Sequence, residues 1–213
     1  MRTILCYGDS NTWGYVPGTG NRYDHKTRWP TVMARLLNHS CPPDDPAWWV
    51  VEEGLNARTS CREDPVEGDR NGLRQLIPIL ESHKPLDVVA IMLGTNDLKP
   101  RFSPVPYDIA LGVQQVVIAA QGSKTGPRDE EPKVIMICPT PTVKSPALVH
   151  LFGDCTELSN QLEPFYRQLA MECGAIYVNA GAYVKSSAVD GVHFEAEGHL
   201  ALAKAMADIV KAL

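Results

Sequence analysis

Asp87-Val88-Val89-Ala90-Ile91-Met92-Leu93-Gly94-Thr95-Asn96-Asp97 passes from an apolar run straight into a polar turn. The run Asp87–Leu93 shows no polar alternation before Gly94, which is how a strand buried on both faces reads. Such a strand belongs inside a sheet with helices on each side. The rest of the chain agrees. Ile4–Tyr7, Trp48–Glu52, Val134–Cys138 and Ala175–Val178 are further short apolar runs. Between them, apolar residues recur at helical spacing. Arg28–Asn38 carries Trp29, Val32, Met33, Leu36 and Leu37; Asn71–His83 carries Leu73, Leu76, Ile77 and Leu80. Tyr107–Gln121 is a third helix, with Pro106 and Asp108 where a helix start favours them. Leu158–Cys173 is a fourth, which Pro164 is placed to kink or split. Glu195–Leu213 closes the chain, with Leu200, Ala203, Met206 and Val210 along its apolar side. Ser123–Pro132 is polar and rich in Gly and Pro, hence a surface loop. Strand and helix alternate about five times, which predicts an α/β fold: a parallel sheet, right-handed crossovers and helices on both faces.

The chain has 213 residues, 44% of them hydrophobic, which suits one domain over residues 1–213. A net charge of −5 and no Lys/Arg run argue against nucleic acid as a partner. Met1-Arg2-Thr3 leads directly into the first strand, leaving no room for an apolar signal core, and the apolar runs are too short to span a membrane. The six cysteines (Cys6, Cys41, Cys61, Cys138, Cys155 and Cys173) form no C-x-x-C pair. They read as reduced structural thiols in a cytoplasmic protein; a secreted protein with some disulfides is the alternative.

In a parallel sheet of this kind, ligands bind at the carboxyl ends of the strands. Three polar clusters follow strands directly: Gly8-Asp9-Ser10-Asn11, Gly54-Leu55-Asn56-Ala57-Arg58 and Gly94-Thr95-Asn96-Asp97. A fourth, Asp190-Gly191-Val192-His193, precedes the last helix. Each cluster alone reads as an ordinary turn or cap. Together they supply a complete chemistry. Serine is a weak nucleophile until a base lies within hydrogen-bond reach. Histidine is the natural base near neutrality, and a carboxylate on its other nitrogen sets the tautomer. Ser10, His193 and Asp190 fill these roles. The Ser10 N–H, a backbone N–H of the second cluster and the Asn96 amide are candidate donors to an oxyanion. Asp9, though beside Ser10, is assigned to the turn; Asp97 and Arg58 to fixing the loops. Trp13, Tyr15 and Trp29 are expected in a pocket wall or subunit interface, or else in plain packing, with Trp13 and Thr95 as substrate contacts. Pro139-Thr140-Pro141-Thr142 is expected as another wall, and Pro141–Asp154 as a lid or oligomer contact. His25, His39, His83, His150 and His199 show no paired spacing, so no metal site is expected, and His199 reads as a surface or capping residue. G-x-S-x-G, Walker A and G-x-G-x-x-G are absent.

These clusters resemble the sequence blocks of the SGNH hydrolases, or GDSL-like esterases. Gly8-Asp9-Ser10 is similar to block one, with Asn11 where many members have Leu. Gly94-Thr95-Asn96-Asp97 matches block three, and Asp190-Gly191-Val192-His193 resembles block five. The family's block-two glycine falls at Ala57. An alanine keeps the N–H donor, but a positive φ there costs more than it would for glycine. Thr12-Trp13-Gly14, Arg28-Trp29, Glu52-Glu53-Gly54-Leu55 and Ala57-Arg58-Thr59 extend the similarity towards the bacterial arylesterase and acyltransferase subgroup over nearly the whole chain. The resemblance implies a flavodoxin-like three-layer fold with strand order 2-1-3-4-5. It implies a serine esterase acting on short-chain acetyl or aryl esters through an acyl-enzyme, without a cofactor, and transfer of the acyl group to alcohols or peroxide. It also implies a homo-oligomer, up to an octamer. Alternatives are a carbohydrate acetylesterase of the same mechanism, a flavodoxin-like module cradling a phosphate or flavin at Ser10-Asn11-Thr12, and an inactive SGNH-fold protein with a role in assembly.

Overall fold

A computed structural model describes residues 1–213. Five parallel strands form one sheet: β1 (Arg2–Gly8), β2 (Trp48–Gly54), β3 (Val88–Met92), β4 (Lys133–Cys138) and β5 (Ile176–Asn179), in the order β2-β1-β3-β4-β5. Alternate residues of the inner strands enter two separate cores. Leu5, Tyr7, Val89, Ile91, Val134 and Met136 face one. Ile4, Cys6, Val88, Ala90, Ile135 and Ile137 face the other. Helices α3 (Gly72–His83), α4 (Pro106–Gln121) and α7 (Leu162–Glu172) cover the first; α2 (Trp29–Leu37) and α8 (Ala196–Lys211) cover the second. Three short helices complete the chain: α1 (Ser10–Trp13), α5 (Val149–Phe152) and α6 (Thr156–Asn160). No helix is long and apolar enough to cross a membrane. All six cysteines are free thiols.

The register sets the site. Gly8 pairs with Gly54 on one side and Met92 on the other, so the first three polar clusters leave the sheet at one level. Helix α1 then lies tight across the rim. A Cβ on Gly54 would stand 2.1 Å from the Trp13 nitrogen, and one on Gly8 would stand 2.1 Å from the Thr12 hydroxyl. Only glycine permits that approach, which holds Ser10 at the sheet edge.

Three helical expectations need correction. The fourth helix breaks at Gln161 rather than at Pro164. Pro164 sits in the first turn of α7, where a missing N–H costs no helical bond. Ile77 and Leu200 are exposed. The buried stripe of α8 runs through His199, Leu202, Ala203, Met206 and Val210. His199 is therefore no surface residue: it is fully buried, and its Nδ1 accepts the Trp29 N–H at 3.3 Å. Burial pushes its pKa down to about 4. Trp29 is likewise core and not pocket wall.

Candidate active site

Ser10 opens α1 and His193 lies 183 residues later, yet the Ser10 Oγ and His193 Nε2 are 2.9 Å apart. His193 Nδ1 lies 2.7 Å from Asp190 Oδ2. All three side chains are buried. Burial alone would raise the Asp190 carboxyl, but its hydrogen bond to His193, the charge of that ring and the backbone N–H groups of His193 and Val192 outweigh it and hold it down to about 2. The carboxylate is then acceptor-only, so Nδ1 donates to it and Nε2 is left to accept the serine proton.

Residues of α1 and of the loop between α1 and α2 hold this arrangement from outside. The Asn11 side chain donates to the Val192 carbonyl at 3.2 Å and accepts the Phe194 N–H at 3.1 Å, gripping the backbone on both sides of His193. The Gly18 N–H donates to Asp190 Oδ2 at 3.1 Å. The Tyr15 ring stacks on the imidazole, with centroids 4.1 Å apart. Asp9 turns away from this chain of bonds and caps α1, accepting the Asn11 N–H at 3.0 Å. Burial pushes its pKa up to about 6, against the pull of that N–H and of the His193 and Arg58 charges.

The candidate oxyanion donors converge on the same cleft, which Ser10, Ala57, Asn96 and His193 line together. Ala57 has φ 67°, so this alanine does occupy the left-handed region. Its N–H meets no acceptor within the protein and stays free for a ligand. Asn96 spends one amide hydrogen on the Arg58 carbonyl at 3.1 Å, which orients the amide and leaves the other available. Arg58 is itself pinned, donating to the carbonyls of Gly8 and Glu53 beneath its own loop. Asp97 accepts the Ser60 hydroxyl at 2.6 Å and N–H at 2.9 Å, tying the third cluster to the loop that continues the second.

Other expected residues lie elsewhere. Trp13 and Thr95 do not line the cleft, and neither do residues 139–142. Trp13 packs under the Arg22 guanidinium, and Thr95 is buried in its turn. The wall comes instead from Leu148, Leu151 and Phe152, inside the stretch expected as a lid, and from Tyr15. Glu67 and Lys99 complete it, and neither is among the residues expected from the sequence. Lys99 lies three residues beyond Asn96, close to the third cluster, whereas nothing in the sequence pattern marks Glu67. The cleft holds about 150 Å³, well below a drug-sized pocket, and so suits a small acyl group.

Residues 6–201 match the GDSL-like lipase/acylhydrolase family. The chain belongs to this family. Among solved structures, a carbohydrate acetylesterase from Sinorhizobium meliloti is similar over 100% of this chain and 99% of its own, at 36% identity and a TM-score of 0.92. An aryl esterase from M. smegmatis matches over 100% of both chains at 34% identity and a TM-score of 0.92. An acetylxylan esterase from Xylanibacter ruminicola is 25% identical over 98% of this chain, which spans only 42% of that protein's length. The SGNH hydrolase architecture expected from the sequence blocks is thus the one observed. The side chains named for a phosphate cradle are engaged or shut away: the Asn11 amide bonds the backbone at Val192 and Phe194, the Ser10 hydroxyl bonds His193, and Thr12 is fully buried.

Proposed function

We propose that this GDSL-family chain is a serine esterase acting on small acyl esters. One observation carries the reading: the hydrogen-bonded chain from Ser10 through His193 to Asp190 ends in a small cleft with unengaged N–H donors. His193 takes the Ser10 proton as Oγ attacks the ester carbonyl. The oxyanion is held by the N–H groups of Ser10 and Ala57 and by the free Asn96 amide hydrogen; each such donor contributes about 3 kcal/mol of transition-state stabilisation. His193 then protonates the leaving alcohol, giving an acyl-enzyme on Ser10. Water, activated by the same imidazole, attacks that acyl group and regenerates the serine. An alcohol or a peroxide entering in place of water takes the acyl group by the same route. The names of the structural neighbours, an aryl esterase and a carbohydrate acetylesterase, support acetyl and aryl esters as the first substrates to test.

The test is hydrolysis of an activated acetyl ester by the parent and by Ser10→Ala. The variant is expected to keep its melting temperature and to lose roughly 10⁴-fold or more in kcat. Parent-like turnover by Ser10→Ala would refute the mechanism.

A further inference from the structure

One wall of the cleft is apolar, built from Leu148, Leu151 and Phe152. Another is not: Glu67 and Lys99 face the same space as Ser10 and Asn96. Lys99 is 1% exposed, among the most deeply buried large side chains of the molecule. An ammonium has three N–H groups to satisfy. In this structure Lys99 makes one hydrogen bond, to Glu67 Oε1 at 3.3 Å, with Asp64 Oδ2 at 3.8 Å beyond good bonding range. Burial accordingly lowers its pKa. Glu67 is held in place rather than loose. Asp64 accepts the N–H groups of Val66 and Glu67, fixing the turn, and Arg101 bonds the same Glu67 Oε1 at 3.3 Å. Glu67 Oε2 accepts from no protein group.

A buried cation short of acceptors and a carboxylate oxygen short of donors thus sit side by side on the cleft wall. We propose that Glu67 and Lys99 form a polar subsite that selects neutral esters bearing a free hydroxyl near the scissile bond. The inference rests on the esterase reading and adds its selectivity. A hydroxyl both accepts and donates, so it satisfies Lys99 and Glu67 at once. An aryl or alkyl group placed there leaves the buried Lys99 short of acceptors and strips water from the part-exposed Glu67, and an unmet polar group in a desolvated site is costly. A carboxylate satisfies Lys99 but is repelled by Glu67. Two cations, Lys99 and Arg101, and two anions, Asp64 and Glu67, balance within the cluster, so no net charge draws an anionic substrate.

The test compares kcat/KM for a monoacetylated pyranoside, phenyl acetate and an acetyl ester carrying a carboxylate, in the parent, Lys99→Met and Glu67→Ala. The pyranoside-to-phenyl ratio is expected to fall roughly tenfold or more in each variant, a fraction of the roughly 10⁴-fold by which a fully buried hydroxyl site rejects a ligand lacking the group, because Glu67 is partly exposed. A ratio within about twofold of the parent's in both, or a parent that prefers the carboxylate ester, overturns the subsite. Glu67 is partly exposed, so Glu67→Ala decides alone if Lys99→Met does not fold. Binding is read independently of turnover, by saturation-transfer NMR of the monoacetylated pyranoside with Ser10→Ala protein. Transfer that Lys99→Met or Glu67→Ala abolishes supports the subsite; no transfer, or transfer unaffected by both, refutes it. A parent that hydrolyses none of the esters while its Ser10→Ala form still binds refutes the Ser10 mechanism instead.

Discussion

Replacing Asn11 by leucine puts the residue common in similar proteins at a position where this chain uses an amide. The side chain is buried and bonds the backbone at Val192 and Phe194, either side of His193. Leucine has nearly the same volume but neither donor nor acceptor, so the Phe194 N–H loses its acceptor and the Val192 carbonyl keeps only the long bond from the Ser186 hydroxyl at 3.4 Å. The stranded Phe194 N–H costs about 1–3 kcal/mol, and the weakened bonding of the Val192 carbonyl about 1 kcal/mol more. Burying leucine in place of an amide returns about 1–2 kcal/mol. The net expectation is a loss of about 1.5 kcal/mol, or roughly 3–6 °C in Tm for a chain of this size. The activity effect is separable from this. With its neighbours unpinned, the imidazole shifts relative to Ser10, and a displacement near 1 Å costs about 100-fold in rate. The assay is thermal unfolding beside steady-state hydrolysis of an activated acetyl ester well below Tm. The expected pattern is a reduced kcat with KM little changed, because Asn11 does not line the cleft. A variant as stable and as fast as the parent would show that the amide does not position His193.

Ala57→Gly should stabilise the fold. The left-handed φ of 67° costs an alanine about 1–2 kcal/mol, and the looser unfolded chain of the glycine variant returns about 0.4–1 of it, leaving a gain near 0.5–1 kcal/mol. A lower urea midpoint would show that no strain resides there. Asp9 and His199 make opposing contributions to stability with pH. The Asp9 carboxyl is raised from 3.8 to about 6 in the folded chain, so its contribution is full below 3.8 and lost as pH rises through 6. His199 is lowered from 6.5 to about 4, so its contribution is full above 6.5 and lost as pH falls through 4. Each is worth about 3 kcal/mol, and between them the two nearly cancel. Asp9→Asn should therefore unmask a steep loss of stability on acidification from pH 6.5 to 4, read from urea unfolding at each pH; a profile parallel to the parent's would contradict the Asp9 shift, and a flat profile in the variant the His199 shift.

Much of the fold was legible because strand and helix differ in apolar period, and the parallel sheet needs both. The order of the strands was not in that alternation; it came with the resemblance carried by Gly8-Asp9-Ser10, Gly94-Thr95-Asn96-Asp97 and the Asp190–His193 loop. Helix faces were read less well where a polar residue is buried. His199 takes a core position by bonding the Trp29 N–H, and Leu200 beside it turns outward. Ser10, His193 and Asp190 announce themselves by residue type. Their supports do not. Gly18 acts through a backbone N–H that any residue carries, and the Asn11 grip depends on a contact spanning 181 residues to Val192. Glu67 reaches the cleft from a long loop whose path no periodicity encodes. Trp13 is an aromatic close to Ser10 in sequence, but the end of α1 places it against Arg22 and outside the cleft lining.

The whole mechanism turns on the Ser10 hydroxyl. A serine-reactive phosphonate followed by peptide mass mapping asks whether that oxygen is the nucleophile. One label is expected, on Ser10, forming in step with the loss of esterase activity and strongly slowed in His193→Ala. Label on another residue, or full activity surviving complete labelling of Ser10, would contradict it.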